Sequence, residues 1–209
     1  MEGWATQRDF STHHRHSTRL RGYDYSLAGM CFVTICISDR ACLLGSMSAG
    51  RMDLTAAGRV VENEFSSTPS HYDAVDVDRF VVMPNHAHAI IVLAAGPIGV
   101  GVLETDIDRP RMATLKLGDI VRDFKLRTTN LYRTGVKKGL WPRYPGTLWQ
   151  RNYHEHIIRR TESLNRIREY ISLNPLRWEL DRENPCRTGD DPFDLWLDSI
   201  GDDTADDGI

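Results

Sequence analysis

The chain has 209 residues, 41% hydrophobic and 26% charged, a composition that fits one soluble globular domain with a sizeable core. Its longest apolar stretch, residues 89–103, is broken by Gly96, Pro97, Gly99 and Gly101 and falls short of the roughly 20 apolar residues of a membrane span. The net charge of −3 is unevenly divided: residues 179–209 hold eleven acids and two arginines, whereas ten Lys/Arg fall between Arg109 and Arg143, which fits either a polyanionic partner for the body or a plain solvated helix face.

Residues 1–18 read as a polar arm with His13, His14 and His16 and no signal-peptide core. "GMCFVTICISDR" alternates like a strand, placing Cys31 and Cys36 on opposite faces. The four cysteines show no zinc-type spacing, so reduced thiols and a cytoplasmic setting are expected. "LTAAGRVVENEF" has helical spacing, and Pro69 is expected to close it. "VDRFVVMP" and "HAHAIIVL" read as two strands joined at a tight turn over Met83, Pro84 and Asn85.

Residues 96–110 read as a loop, since "GPIGVGV" lacks the spacing of a dinucleotide fingerprint. The next run predicts a helix with Leu117, Ile120, Val121, Phe124 and Leu131 on one stripe and Lys116, Arg122, Lys125 and Arg127 on the other face. "PRYPGTLWQRNYHEHIIRR" is loop then strand. "TESLNRIREYISLN" is a helix, capped by Thr161 with Glu162 and stopped by Pro175. The remainder, 181–209, is expected to be an acidic, loosely ordered tail after a domain at 19–180. This order predicts an α+β fold, a mainly antiparallel sheet with helices on one side.

Two imidazoles spaced as His86 and His88 share one face of a strand and can bind one divalent ion, or hydrogen-bond within a core. His154 and His156 repeat the spacing in polar surroundings, which reads as a solvated or DNA-facing strand edge. Tyr170 and Asn174 lie four apart on one helix face. A phenol activated by a cation can attack a phosphodiester, and an amide oxygen one turn away is a suitable hard third ligand. Alone, Tyr170 reads as a core residue packing its ring with Ile167 and Ile171.

Together, "VVMPNHAHAIIV", a basic helix and "LWQRNYHEHIIRRTESLNRIREYISLNPLRWEL" strongly resemble the REP-associated tyrosine transposases. These are single-tyrosine HUH endonucleases of the insertion-sequence 200-like type, and the resemblance covers about residues 19–184. It implies a ferredoxin-like or RRM-like antiparallel sheet with the HUH motif on a central strand. It also implies His86, His88 and Asn174 on Mg²⁺ or Mn²⁺, and Tyr170 as the nucleophile forming a 5′-phosphotyrosine. The implied substrate is single-stranded DNA folded as REP-like hairpins, met in the cytoplasm near the nucleoid by a monomer or homodimer without membrane contact.

Backbone contacts are expected from Lys116, Arg122, Lys125, Arg127 and Arg151, and base stacking from Trp149 and Tyr153, with a core role for Trp149 equally open. Two rivals remain. One is a non-catalytic single-stranded nucleic-acid binding module on the same sheet. The other is a zinc hydrolase acting on small esters or peptides, for which the sequence offers no third strong ligand and no helical HExxH and which leaves Tyr170 without a role.

Overall fold

The structure, a computed structural model, describes residues 28–94 and 115–200. The polar arm, the glycine-rich loop over 96–110 and residues 201–209 lie outside the described residues. Strand β1 (Gly29–Cys36) is followed by a short hairpin, β2 (Gly45–Ser48) and β3 (Arg51–Leu54), and by helix α1 (Ala56–His71). Strands β4 (Val75–Val82) and β5 (His86–Leu93) form the expected second hairpin. Helix α2 (Leu117–Lys137), strand β6 (His154–Ile158), helix α3 (Thr161–Leu173), a 3₁₀ stretch Asn174–Leu180 and helix α4 (Pro192–Ile200) complete the chain.

The main sheet has the order β4-β5-β1-β6, antiparallel throughout. With α1 and α2 as crossovers this is the split βαβ arrangement of ferredoxin-like folds: the strand and helix order predicted the antiparallel α+β fold, and the resemblance implied its ferredoxin-like form. Period-two alternation sorts β1 and β5 into two faces. Cys31, Val33, Ile35, Ala87, Ala89 and Ile91 join Val61 and Phe65 of α1 and Val121 and Phe124 of α2 in the larger core. Phe32 and Ile90 point the other way and pack with Ile167, Tyr170 and Ile171 of α3 and Phe193 of α4.

The expectation of helices on one side therefore needs correction: α1 and α2 cover one face, α3 and α4 the other. Coverage of both faces is why β1 and β5 are nearly continuous apolar runs.

Leu131, expected on the apolar stripe of α2, is 44% exposed, because such a stripe drifts by about 20° per heptad around a straight helix. Four further local readings also change. Pro69 lies inside α1, in its last turn, where it costs only the end of the hydrogen-bond ladder. The N-cap of α3 is Arg160, with no side-chain cap bond, so Thr161 does not cap it. The β2–β3 hairpin went unread because its two-residue turn is Ala49-Gly50, both at positive φ (48° and 72°), without the Asn-Gly or Asp-Gly pair that usually marks such turns.

The fourth concerns the presumed tail. Residues 181–200 include α4 and bury Asp181, Glu183, Asn184, Asp191, Phe193 and Asp194. Their acids are spent internally: Asp191 accepts from the Phe193 amide at 2.7 Å, and Arg182 pairs with Asp194 at 3.0 Å and Asp198 at 3.1 Å. An acidic composition was read as disorder, yet these carboxylates have cationic and amide partners that composition does not reveal.

A bulge in β4 between Val77 and Arg79 accompanies a two-pronged contact from Arg168 of α3 to Asp78, both arms at 2.7 Å. That contact ties α3 to the sheet edge and so helps set the position of Tyr170 two residues on.

Candidate metal and nucleophile site

On the face opposite α1 and α2, β5 presents His86 and His88, both buried. Their Nε2 atoms are 3.0 Å apart. Asp181, just past the 3₁₀ stretch, brings Oδ2 to 3.5 Å from His86 Nε2 and 3.9 Å from His88 Nε2. One ligand atom from each residue lies within 4.8 Å of the others. Two nitrogens bound to one ion at about 2.1 Å and a right angle stand about 3 Å apart, so the imidazole spacing fits a shared divalent cation. Asp181 is the candidate third ligand that sequence reasoning missed, because it lies in the stretch expected to be a loose tail.

Burial holds His86 neutral, with its pKa lowered to about 3, aided by the adjacent His88 and Arg40. Burial opposes ionisation of Asp181, but His86, His88 and a hydrogen bond from Asn174 outweigh it and keep its carboxyl below the usual range. The neutral His86 imidazole, the neighbouring His88 nitrogen and a carboxylate are a competent ligand set for a divalent metal.

Helix α3 delivers Tyr170 on its buried stripe of Ser163, Ile167 and Ile171. The phenol oxygen is 3.3 Å from His88 Nε2. Asn174, the first residue of the 3₁₀ stretch, is fully buried and donates Nδ2 to Asp181 Oδ2 at 2.9 Å. Its Oδ1 is buried with no hydrogen-bond partner. The helix thus brings the tyrosine and the amide into the histidine cluster. The Asn174 amide nitrogen is directed to Asp181, and its oxygen is left as a candidate metal ligand.

Burial pushes the Tyr170 phenol well above its ordinary pKa, and Asp181, Asp194 and Asp191 push it further. In this arrangement it is a neutral phenol. It becomes a nucleophile only with compensating positive charge nearby. The ring is covered by Phe193 of α4, stacked at 3.7 Å between centroids and 9° between planes. A small cavity of about 40 Å³ remains beside it, bordered by Thr34, His88, His154, Arg182 and Asp194.

The expected nucleic-acid contacts separate into groups. Lys116, Arg122, Lys125, Arg151 and Tyr153 line one open groove of about 800 Å³ along α2. Within it Lys125 is partly committed, donating to the Gln150 and Asn152 carbonyls at 2.9 Å, and burial lowers its pKa to about 8.

Arg127 does not share the groove. It points to α1 and pairs with Glu64 at 2.8 Å, because two residues beyond Lys125 the helix has turned about 200°. Trp149 reaches the groove wall but is only 4% exposed, donates Nε1 to Thr128 Oγ1 at 2.8 Å and packs on Phe124. Its ring is core, not a stacking platform. His154 is exposed at the sheet edge, whereas His156, opposite Phe32, is buried, so the solvated reading holds for one of the pair. Cys31 and Cys36 do face opposite ways, and burial raises both thiols, Cys31 to about 12.

No family model matches the chain. An uncharacterized protein of Haemophilus influenzae is 35% identical over 185 residues, covering 85% of this chain and 97% of that protein. Among solved structures, a REP-associated tyrosine transposase bound to a REP hairpin aligns over 78% of this chain and 74% of its own, at 21% identity and a TM-score of 0.49. A Deinococcus radiodurans R1 protein, provisionally described as a transposase, aligns over 74% of this chain and 95% of its own, at 16% identity and a TM-score of 0.42.

Proposed function

The chain and the Haemophilus influenzae protein belong to one family, and we propose that its members are metal-dependent DNA nicking and joining enzymes of the REP-associated tyrosine transposase kind. The observation that carries this reading is the convergence, in one buried cluster, of a phenol, two imidazoles and a carboxylate from β5, α3 and residue 181. The order of the His-Ala-His strand and the Tyr-x-x-x-Asn-Pro helix, which resembles that family, supports it.

His86, His88 and Asp181 would hold the ion, with Asn174 Oδ1 as a further oxygen donor. Nitrogen-rich ligation favours Mn²⁺ over Mg²⁺, which prefers oxygen and water. Bound there, the ion supplies the positive charge that lowers the phenol's pKa and neutralises the scissile phosphate. The Tyr170 phenol gives up its proton as its oxygen displaces the 3′ oxygen from phosphorus. A 5′-phosphotyrosine bond forms, the P–O3′ bond breaks, and the released 3′ oxygen takes up a proton. The covalent link conserves the phosphodiester, so the reverse step can join another 3′-OH without ATP. Single-stranded DNA of the hairpin type is the proposed substrate, its backbone held by Lys116, Arg122 and Arg151 along the groove.

Incubated with Mn²⁺ and a hairpin-bearing single strand, the protein is expected to give an SDS-resistant adduct that Tyr170→Phe abolishes. An undiminished adduct in that variant overturns the assignment of the nucleophile. A second reading, binding without chemistry, is favoured by one observation: α4 seals Tyr170, which is 2% exposed. Retained hairpin binding with no adduct at any Mn²⁺ concentration would decide for it.

A further inference from the structure

We infer that Asn85, in the turn between β4 and β5, is a positioning residue that fixes the proton of His86 and the place of Asp181. The inference rests on the metal-site reading above and extends it to a residue outside the ligand set.

Asn85 is fully buried. Its Nδ2 donates to the Arg40 carbonyl at 3.1 Å and to the Glu183 carbonyl at 2.8 Å. Both acceptors are backbone oxygens, so the nitrogen must face them and the orientation of the amide follows. The remaining atom, Oδ1, is 2.9 Å from His86 Nδ1. An amide oxygen only accepts, so Nδ1 carries the hydrogen. A neutral imidazole has one such hydrogen, and the His86 Nε2 lone pair is therefore directed at the point it shares with His88 and Asp181.

The same amide reaches the carboxylate. Glu183, whose carbonyl Asn85 holds, donates its own N–H to Asp181 Oδ1 at 2.7 Å. Arg40, whose carbonyl Asn85 also holds, pairs with the Glu183 carboxylate at 3.2 Å. One side chain thus links the loop after β1, the start of β5 and the segment bearing Asp181, and it presents Asp181 Oδ2 to the two histidines.

His88 is treated differently. Its Nδ1 is 2.8 Å from Thr34 Oγ1, and a hydroxyl can donate or accept. His88 can therefore keep its hydrogen on Nε2, toward His86 Nε2, or shift it to Nδ1, toward Thr34, when its Nε2 is needed as a ligand. Asn85 locks one imidazole and Thr34 permits the other to adapt.

The test uses the whole chain, ¹⁵N-labelled and without metal, and reads the ring-nitrogen shifts of His86. Wild type is expected to show a single Nδ1–H tautomer. Asn85→Ala should lose that preference, and Asn85→Asp, which keeps an acceptor at the same place, should restore it. Mn²⁺ affinity, followed by the electron paramagnetic resonance of free Mn²⁺, should fall about 10- to 100-fold in Asn85→Ala.

An Nε2–H tautomer in the wild type overturns the inference, and that measurement needs no variant to fold. So does a folded Asn85→Ala with the wild-type tautomer and affinity. A wild type that binds no Mn²⁺ refutes the metal-site reading instead and leaves the tautomer result standing.

Discussion

The two faces of the main sheet are built by the same strands and do opposite work. Residues 31, 33 and 35 of β1 and 87, 89 and 91 of β5 face α1 and α2, and every one is apolar and buried. One residue along, Thr34, His86 and His88 face α3 and residue 181, equally buried but polar. Burial is the same on both sides, so it cannot distinguish them. What differs is that these polar side chains are held to one another, Thr34 with His88, Asn85 with His86, and Asn174 with Asp181, while the Asn174 Oδ1 is left without a hydrogen-bond partner. A histidine pair inside an apolar strand is thus not a defect, because a buried polar group is tolerated where its hydrogen bonds are arranged for it.

The largest expected effects come from exchanging roles across the sheet. His88→Ala should reduce Mn²⁺ affinity by more than the roughly 100-fold that losing an outer partner of a ligand costs, with the protein still folded. Phe65→Ala, on the other face, removes a ring packed at 4.3 Å on Phe124 and 5.2 Å on Phe80. It should cost about 3–5 kcal/mol of stability and leave the Mn²⁺ affinity of the folded molecules unchanged. Urea melts and metal titrations on both variants check this. Comparable metal losses in the two would show that the faces are not independent.

Acid should separate the faces next. The His86 imidazole is held near 3 by burial against about 6.5 in an unfolded chain. Below pH 6.5 the unfolded state binds a proton that the native site refuses, so stability falls as pH falls, down to the native value. The slope approaches one proton, about 1.4 kcal/mol per unit, which integrates to about 2 kcal/mol between pH 7 and 5. Asp181 does not offset this. Its native pKa is depressed, so its contribution is complete above the unfolded carboxylate range and is lost only at lower pH. Urea melts of metal-free protein at pH 7 and 5 should show the drop. His86→Gln should flatten it, while Phe65→Ala should shift both curves equally. A wild type equally stable at the two values would contradict a buried neutral His86.

The second face also shows where reading a sequence stops. Strand alternation was enough to place His86 and His88 together, and helical spacing was enough to place Tyr170 above Asn174, because both are local periodicities. Asp181 was beyond reach. Its role depends on the chain doubling back after Pro175, and its neighbours Glu183, Asp190, Asp191 and Asp194 read as a solvated acidic run. Arg182, Arg40 and the amides of Glu183 and Phe193 neutralise or hydrogen-bond four of the acids in that stretch, and only tertiary structure brings those groups together. Trp149 and Arg127 failed for a related reason. Their side-chain types suit DNA contact, but Thr128 and Glu64 had already claimed them.

The smallest expected effect concerns the groove along α2, which should act on affinity without touching the chemistry. Lys116, Arg122 and Arg151 line it, and Arg122 is 63% exposed at its side chain, although Asp119 at 3.0 Å and Asp123 at 3.3 Å share its charge. A cation that neutralises one phosphate of a single strand contributes about 0.7 to the slope of log affinity against log salt. Arg151→Gln should therefore lower that slope by roughly this amount. Arg122→Gln should lower it by less, because its acidic neighbours already compete for the guanidinium. Arg127→Gln, whose charge is spent on Glu64, should leave the slope unchanged. The Mn²⁺ affinity of all three should match wild type, since none touches His86, His88 or Asp181. Salt titrations of hairpin binding by fluorescence anisotropy would rank the three variants, and a slope change in Arg127→Gln equal to that in Arg151→Gln would show that the groove is not the strand's path.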